Sequence, residues 1–115
     1  MADYRTCNPV RILFDQGTPV PLRRQLLSHI IDTTFERGWS TLGNGQLLES
    51  AEQGGYDLLI TTDQNLSYQQ NLSGRQIAIL VLGTTSWPRL RDHIATIQAT
   101  VDAITPGAYI QLTFS

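Results

Sequence analysis

The sequence predicts an α/β fold in which helices cover a mostly parallel sheet of about five strands. Three observations support this prediction. Strand-like and helix-like segments alternate along the 115 residues, residues 77–82 form an apolar run suited to burial on both faces, and residues 90–104 carry a helical apolar stripe. Such an alternation favours parallel strands joined by right-handed crossovers.

The first two strands and the helix between them are predicted from residues 11–34. Residues 11–14 suit a strand, and Thr18 can cap a helix that has Pro19 at its first position. The buried stripe of this helix would consist of Leu22, Leu26 and Leu27. Residues 29–34 follow as the second strand.

The middle of the chain is predicted to contain a second helix and the third strand. A polar bridge at residues 35–43 precedes a helix at residues 44–53, which a pair of glycines ends. The third strand spans residues 56–62, and a long polar loop follows at residues 63–75.

The last third of the chain is predicted to add two strands and one helix. Residues 77–82 should form a central strand, because the run has no polar face. Ser86 then caps a helix whose apolar stripe is Leu90, Ile94, Ile97, Val101 and Ile104. Residues 109–114 alternate apolar and polar side chains, as a half-exposed edge strand does.

The composition fits one compact domain with one core, since 41% of the residues are hydrophobic. We expect this domain to span residues 1–115, with a frayed N-terminus at residues 1–9. The N-terminus lacks the apolar stretch of a secretory signal, and no apolar run of about 18 residues occurs. The sequence therefore predicts a soluble, cytoplasmic protein with no membrane partner.

The absence of lysine excludes several classes of function, because all eight basic residues are arginines. A P-loop nucleotide site needs a lysine on the phosphates, and Schiff-base chemistry needs a lysine amine. A phosphoacceptor receiver domain also places aspartates at strand ends, but it has a lysine after its last strand. The net charge of −2 argues against broad nonspecific nucleic-acid binding, although a local arginine patch could contact a phosphate chain.

Two carboxylates stand where predicted strands end. Asp15 follows the first strand and Asp63 follows the third. Ligands of open α/β sheets gather at the carboxyl ends of the strands, and neighbouring strands lie roughly 4.8 Å apart, so both side chains could reach one divalent cation. Glu36, after the second strand, could add a third carboxylate. The alternative is that each aspartate only caps a turn and that Glu36 is a solvated charge.

Amide side chains near these strand ends are further candidates for binding. Asn44, at the start of the middle helix, could ligate the cation or simply cap the helix. The loop after the third strand could bond ribose, phosphate or base edges, and its tyrosine could stack on a base. The candidates for contacting a substrate are Gln16, Gln64, Asn65, Tyr68, Gln69 and Arg75. The alternative for the loop is a solvated surface segment.

The segments around the two aspartates resemble a known family. Ile-Leu-Phe-Asp-Gln-Gly-Thr-Pro at residues 12–19 and Ile-Thr-Thr-Asp-Gln-Asn-Leu at residues 60–66 look like segments of the PIN-like family of small bacterial proteins, relatives of the VapC toxins and of the Mut7-C ribonuclease domain. The resemblance covers about residues 11–110. It implies a three-layer α/β/α sandwich, Mg²⁺- or Mn²⁺-dependent cleavage of RNA, and a small antitoxin protein as a partner.

Three amides stand where this family commonly has acids, namely Gln16, Asn44 and Asn65. An amide oxygen can ligate a metal but brings no charge, so we expect a weak cation site. In the ribonuclease that the resemblance implies, the catalytic residues are Asp15, Asp63 and Glu36. The metal ligands are Asp15, Asp63 and Asn44. The alternative is a weakened or inactive relative that binds RNA or protein, and a homodimer is a further expectation.

Overall fold

Five parallel strands form the centre of the molecule. The computed structural model describes residues 9–64 and 75–114, and within these ranges one sheet contains β1 (Arg11–Phe14), β2 (Ile30–Thr33), β3 (Leu58–Thr61), β4 (Ala78–Leu82) and β5 (Tyr109–Leu112). The strands lie in the order β2-β1-β3-β4-β5, and every pairing is parallel. This confirms the predicted α/β class and its parallel sheet of about five strands.

The connections between the strands carry the helices. A 3₁₀ helix (Val20–Gln25) lies between β1 and β2, while α1 (Thr34–Arg37) and α2 (Asn44–Gln53) lie between β2 and β3. The connection from β4 to β5 contains α3 (Trp87–Arg91) and α4 (Ile94–Asp102). Within the two described ranges, no helix is long and apolar enough to cross a membrane.

Apolar side chains pack on both faces of the sheet. On one face, Ile12 and Phe14 of β1 belong to a core that also contains buried residues of the 3₁₀ helix, α3 and α4, namely Leu22, Leu90, Ile97 and Val101. On the other face, Leu13 packs in a second core with α2, through Leu47, Leu48 and Ala51. All of β4 is buried, as predicted for a central strand. The molecule is therefore a three-layer α/β/α arrangement.

The first helix differs from its prediction in type and in its cap. Thr18 does not cap it, because the Thr18 hydroxyl donates a hydrogen bond to the Ile60 carbonyl over 3.0 Å. Prolines at its cap and in its first turn remove backbone donors, and the segment forms a 3₁₀ helix instead of an α-helix. The backbone leaves the helical conformation at Leu26. Leu27 therefore lies beyond the helix and is 81% exposed, so its predicted burial is wrong.

The polar bridge predicted at residues 35–43 contains part of a one-turn helix, α1. The Thr33 hydroxyl accepts a hydrogen bond from the Glu36 N–H, and the Glu36 carboxylate accepts one from the Thr33 N–H. This reciprocal pair is a capping box, whose pattern Thr-x-x-Glu is visible in the sequence. Gly38, with φ of 75°, ends the helix in the left-handed conformation.

The last predicted helix is divided into α3 and α4. The Ser86 hydroxyl caps α3 by accepting a hydrogen bond from the Arg89 N–H over 3.4 Å, as the sequence predicts. The division falls at His93, whose backbone leaves the α-helical region with φ of −123° and ψ of 24°. There the imidazole ring packs against the Phe114 ring, with 4.8 Å between the ring centroids. The predicted apolar stripe still packs against the core on both sides of the break.

The strand order reverses between β1 and β3. These strands are neighbours, with Phe14 opposite Ile60. From β1 the chain moves to β2 on one side, and it then returns to β3 on the other side. Doubly wound sheets of this order bind ligands at this reversal, outside the carboxyl ends of the strands. The fold therefore brings the ends of β1 and β3 to the edge where a ligand is expected.

Candidate functional site

Asp15 is held in place by the neighbouring strand and by its own turn. Its N–H donates to the Ile60 carbonyl over 2.9 Å, which extends the pairing of β1 with β3 by one residue. One carboxylate oxygen, Oδ1, accepts a hydrogen bond from the Gln16 N–H over 2.8 Å. The other, Oδ2, accepts one from the Thr61 hydroxyl over 2.9 Å. The position of the carboxylate is therefore defined on both oxygens.

The turn after Asp15 depends on a glycine. The Thr18 N–H donates to the Asp15 carbonyl over 3.2 Å, and Gly17 at the third position has φ of 89°, as a type II turn requires. A Cβ atom on Gly17 would lie 2.8 Å from the Thr62 hydroxyl oxygen. Only glycine therefore fits this turn without displacing either the turn or the end of β3.

Asp63 is tied to the same edge from two sides. Its N–H donates to the Thr61 hydroxyl oxygen over 3.1 Å, and its Oδ2 accepts a hydrogen bond from the Asn44 amide over 3.1 Å. The hydroxyl of Thr61, a residue that is 1% exposed, thus donates to the side chain of Asp15 and accepts from the backbone of Asp63. The predicted convergence of the two aspartates is supported by this shared partner.

The electrostatics of Asp15 fit a cation site. Burial of its carboxylate raises its pKa, and the hydrogen bonds from Thr61 and Gln16 offset part of this rise. The negative charge of Asp63 raises the pKa of Asp15 further, which means that the two carboxylates interact. A bound cation would remove this repulsion and would favour the ionised form of Asp15.

The side chains present fit Mg²⁺ or Mn²⁺ in kind. Asp15, Asp63 and Asn44 offer the hard oxygen atoms that these cations prefer. Mg²⁺ is usually held by one or two carboxylates together with water and substrate phosphates. In the part of the chain that the structure describes, no group of three or more His, Cys, Asp or Glu side chains could hold a metal. The candidate centre thus offers two carboxylates and one neutral amide, and its weak affinity for a cation stays a prediction.

Asn44 contributes to the site and does not cap its helix. The N-cap of α2 is Gly43, and Asn44 is the first residue of the helix. The Asn44 amide instead reaches Asp63, so the capping interpretation is wrong. The rest of the helix prediction is confirmed, since α2 has the predicted bounds and buries Leu47, Leu48 and Ala51.

Glu36 is engaged by an arginine and by its own helix cap. Its Oε2 accepts a hydrogen bond from Arg23 over 3.0 Å, and its Oε1 accepts one from the Thr33 N–H over 3.0 Å. The hydrogen bond from Arg23 lowers the pKa of Glu36. Glu36 and Asp15 line the same cleft, but the carboxylate of Glu36 is directed to these two partners. Its catalytic role stays a prediction.

The predicted substrate contacts fall into three groups. Gln16 is exposed and lines the cleft beside Asp15, and the Gln64 amide donates to the Gly83 carbonyl over 3.3 Å. Arg75 forms an ion pair with Glu52 over 2.7 Å, and it precedes the amino end of β4, at the opposite edge of the sheet from Asp15. The structure therefore does not bring Arg75 to the two aspartates. Asn65, Tyr68 and Gln69 lie outside the described residues.

Sequence reasoning missed Thr61, the hydroxyl that joins the two aspartates. The signal was present, because Thr61 is the last residue of β3 and Asp63 comes two residues later. Residues two apart along an extended chain face the same side. The sequence could not show that the side chain of Thr61 would be buried, since this depends on the pairing of β3 with β1.

A scan against protein-family models, a search of curated proteins and a search of solved structures each found no match. The resemblance to PIN-like proteins over about residues 11–110 therefore stays a prediction from the sequence. The strand order does not select an activity either, because one fold hosts many functions. The chemistry of Asp15, Asp63 and their partners is therefore the feature of the structure that bears on function.

Proposed function

We propose that this chain is a PIN-like endoribonuclease that cleaves RNA phosphodiesters with Mg²⁺ or Mn²⁺. The observation that carries the proposal is the convergence of Asp15 and Asp63 at the reversal of strand order, where the Thr61 hydroxyl bonds to both residues. Two carboxylates next to an amide are a ligand set of the kind that such cations use. The resemblance of the surrounding segments to PIN-like proteins supports the same activity.

The geometry leaves room for a ligand on Asp15. A carboxylate has about four lone-pair positions on its two oxygens. The hydrogen bonds from the Gln16 N–H and the Thr61 hydroxyl use one position on each oxygen. One further position on each oxygen remains for a cation. Such a cation would supply an activated water and would stabilise the charge that develops on the phosphate.

We propose further that the ribonuclease is the toxin of a toxin–antitoxin pair and acts in the cytoplasm. A small antitoxin protein would then be its natural partner, and a homodimer remains an additional proposal. The support for a toxin with an antitoxin is the resemblance to small bacterial PIN-like proteins, whereas the homodimer is suggested by the small size of the domain and by its two tryptophans, Trp39 and Trp87. For a toxin, we expect expression of the wild-type chain to arrest growth and expression of the inactive Asp15→Asn variant not to arrest it.

A second candidate function is a module that binds RNA or protein without cleaving it. The observation that favours it is the hydrogen bond from the Asn44 amide to Asp63. This neutral donor satisfies part of a carboxylate that would otherwise favour a cation. The amides at positions 16 and 44 point in the same direction, because neither adds negative charge to the centre.

Calorimetric titration with Mn²⁺ and an RNA cleavage assay separate the two candidates. The ribonuclease should bind Mn²⁺ and cleave RNA, and both properties should be lost in Asp15→Asn and in Asp63→Asn. Asp92→Asn is the matched control, because it makes the same chemical change at an exposed position at the C-terminal end of α3. RNA binding without Mn²⁺ binding or cleavage would support the second candidate and would refute the first.

A further inference from the structure

A cleft of about 430 Å³ opens beside Asp15. Its walls come from the turn after β1, from the start of the 3₁₀ helix and from α1, and Asp15 itself is one of the lining residues. This volume lies in the range of small-molecule sites, roughly 300–1,000 Å³. The cleft is therefore large enough for a ligand, and it shares a wall with the candidate cation site.

Two apolar side chains of this cleft are exposed to solvent. Phe35 is 81% exposed and Val20 is 62% exposed, and both line the cleft. Large aromatic side chains usually gain stability by burial, so an aromatic ring left in solvent next to a polar centre is available for a ligand. Stacking on an aromatic ring is the main way in which proteins hold an unpaired RNA base.

The walls of the cleft are fixed before any ligand binds. The capping box between Thr33 and Glu36 sets the backbone on both sides of Phe35. Arg23 of the 3₁₀ helix then joins α1 through its ion pair with Glu36, and it also donates to the Ile31 carbonyl in β2. Because Arg23 and Glu36 neutralise each other, this pair adds no net charge to the cleft and does not favour a charged ligand.

We propose that this cleft is a subsite for one unpaired nucleobase of an RNA strand, with the base stacked on Phe35. The inference rests on the proposed function, because it assumes that a phosphate of the same strand binds at Asp15 and Asp63. A nucleotide carries a flat base and an anionic phosphate within one covalent unit. It can therefore contact Phe35 and the cation site together, as the shared wall at Asp15 requires.

Gln16 adds a means of contacting the edge of the base. It is exposed, it lines the cleft, and its amide offers both donors and an acceptor. A base edge presents donors and acceptors that such an amide can pair with. A peptide side chain would fill the apolar part of the cleft but would not need these groups.

The test measures binding of a fluorescently labelled single-stranded RNA analogue with a non-hydrolysable backbone in the presence of Mn²⁺, so that cleavage does not consume the probe. Phe35→Ala should weaken this binding about 10-fold, in line with the loss of one stacked base. Phe35→Tyr should keep it. Leu27→Ala is the matched control, because Leu27 is also 81% exposed but does not line the cleft, and this variant should bind RNA like the wild type.

The outcomes separate the subsite from the catalytic proposal. Mn²⁺ affinity should be unchanged in Phe35→Ala. If the wild type binds RNA without cleaving it, weaker RNA binding by Phe35→Ala than by the wild type would still support the subsite. Equal RNA binding by Phe35→Ala and the wild type would overturn the subsite even if the protein cleaves RNA. If Phe35→Ala loses self-association but keeps RNA binding, the cleft is a protein–protein interface and the proposal is overturned. The absence of any RNA binding by the wild type would also overturn it.

Discussion

The side-chain amide of Asn44 donates a hydrogen bond to the carboxylate of Asp63 over 3.1 Å. Through this contact the first residue of α2 reaches the end of β3 and helps to orient Asp63. The contact joins a neutral group to a charged one, and hydrogen bonds of this kind are stronger than those between neutral groups. The pair therefore stabilises the fold and at the same time limits the negative charge of the candidate centre.

Asn44→Asp should destabilise the protein without a cation and tighten cation binding. The change replaces an N–H donor by a second carboxylate close to Asp63. The variant should therefore lose about 1.5–3 kcal/mol of hydrogen-bond stabilisation at neutral pH. Thermal denaturation with and without Mn²⁺ measures both effects, and Mn²⁺ should raise the melting temperature of the variant more than that of the wild type.

The control for this variant is Gln46→Glu, which adds a charge in the same first turn of α2 at an exposed position. It reproduces any interaction of an added carboxylate with the helix dipole but stays away from Asp63. If Asn44→Asp and Gln46→Glu respond alike to Mn²⁺, Asn44 takes no part in cation binding.

Asp15→Asn should stabilise the fold at neutral pH. The pKa of Asp15 is raised in the folded protein, mainly by burial, so ionised Asp15 costs stability above its folded pKa. This cost disappears as the pH falls toward the unfolded value of about 3.9. In urea unfolding, the free energy of unfolding of the variant should therefore exceed that of the wild type at neutral pH, and this difference should vanish in acid. A difference in the free energy of unfolding that stays constant at all pH values would contradict a destabilising effect of ionised Asp15.

Mn²⁺ affinity should fall as the pH is lowered through the pKa of Asp15. The cation binds the ionised carboxylate, so it competes with the proton, and this competition begins at a higher pH because the pKa of Asp15 is raised. Calorimetry in two buffers of different ionisation enthalpy should detect proton release on Mn²⁺ binding at a pH near this pKa. An affinity that does not change with pH would exclude Asp15 as a ligand.

Gly17→Ala should destabilise the protein and disturb the site. The residue has φ of 89°, and the added Cβ would lie 2.8 Å from the Thr62 hydroxyl oxygen. Strain of the left-handed conformation alone costs about 1–2 kcal/mol. Gly38→Ala is the control, because Gly38 also has positive φ but its Cβ would meet no atom within 4 Å. A larger loss of stability and of Mn²⁺ binding in Gly17→Ala would isolate the effect of the contact.

Glu52→Gln should destabilise the packing at the amino end of β4 in a pH-dependent way. Burial raises the pKa of Glu52, but hydrogen bonds from Arg75 and from the Gln76 and Ile77 N–H groups lower it by more. Its contribution to stability is therefore present above the unfolded pKa and is lost as the pH falls through the folded pKa. At neutral pH the variant should lose about 1–3 kcal/mol in urea unfolding. Glu49→Gln, an exposed change on the same helix, should cost less.

The parts of this structure that follow periodic patterns could be predicted from the sequence. The apolar run of β4 and the stripe of α2 identified their elements, since burial selects for such patterns. The meeting of Asp15 and Asp63 also followed, because parallel strands end at one edge of a sheet. The 3₁₀ helix and the exposure of Leu27 did not follow, since local proline geometry overrides the apolar pattern there.

The position of Arg75 illustrates a different limit. Sequence reasoning grouped it with Asp63 because one polar segment, residues 63–75, contains both. However, a chain that leaves the carboxyl end of β3 has to return to the amino edge before it can start the parallel strand β4. Arg75, which lies close to the start of β4, therefore had to lie at the opposite edge. The choice of Glu52 as a partner for Arg75 depends on the packing of α2, which no local pattern reveals.

The hydrogen bond between Thr61 and Asp15 joins residues that are 46 positions apart in the chain. The five described strands pair only in parallel, so none of these pairings is a local hairpin. Folding of such a sheet requires distant segments to meet, and such topologies fold slowly. During synthesis, Asp15 leaves the ribosome long before Ile60, Thr61 and Asp63 do. A nascent chain that ends before residue 61 therefore has the first carboxylate but no centre, and the candidate site can assemble only after β3 has emerged.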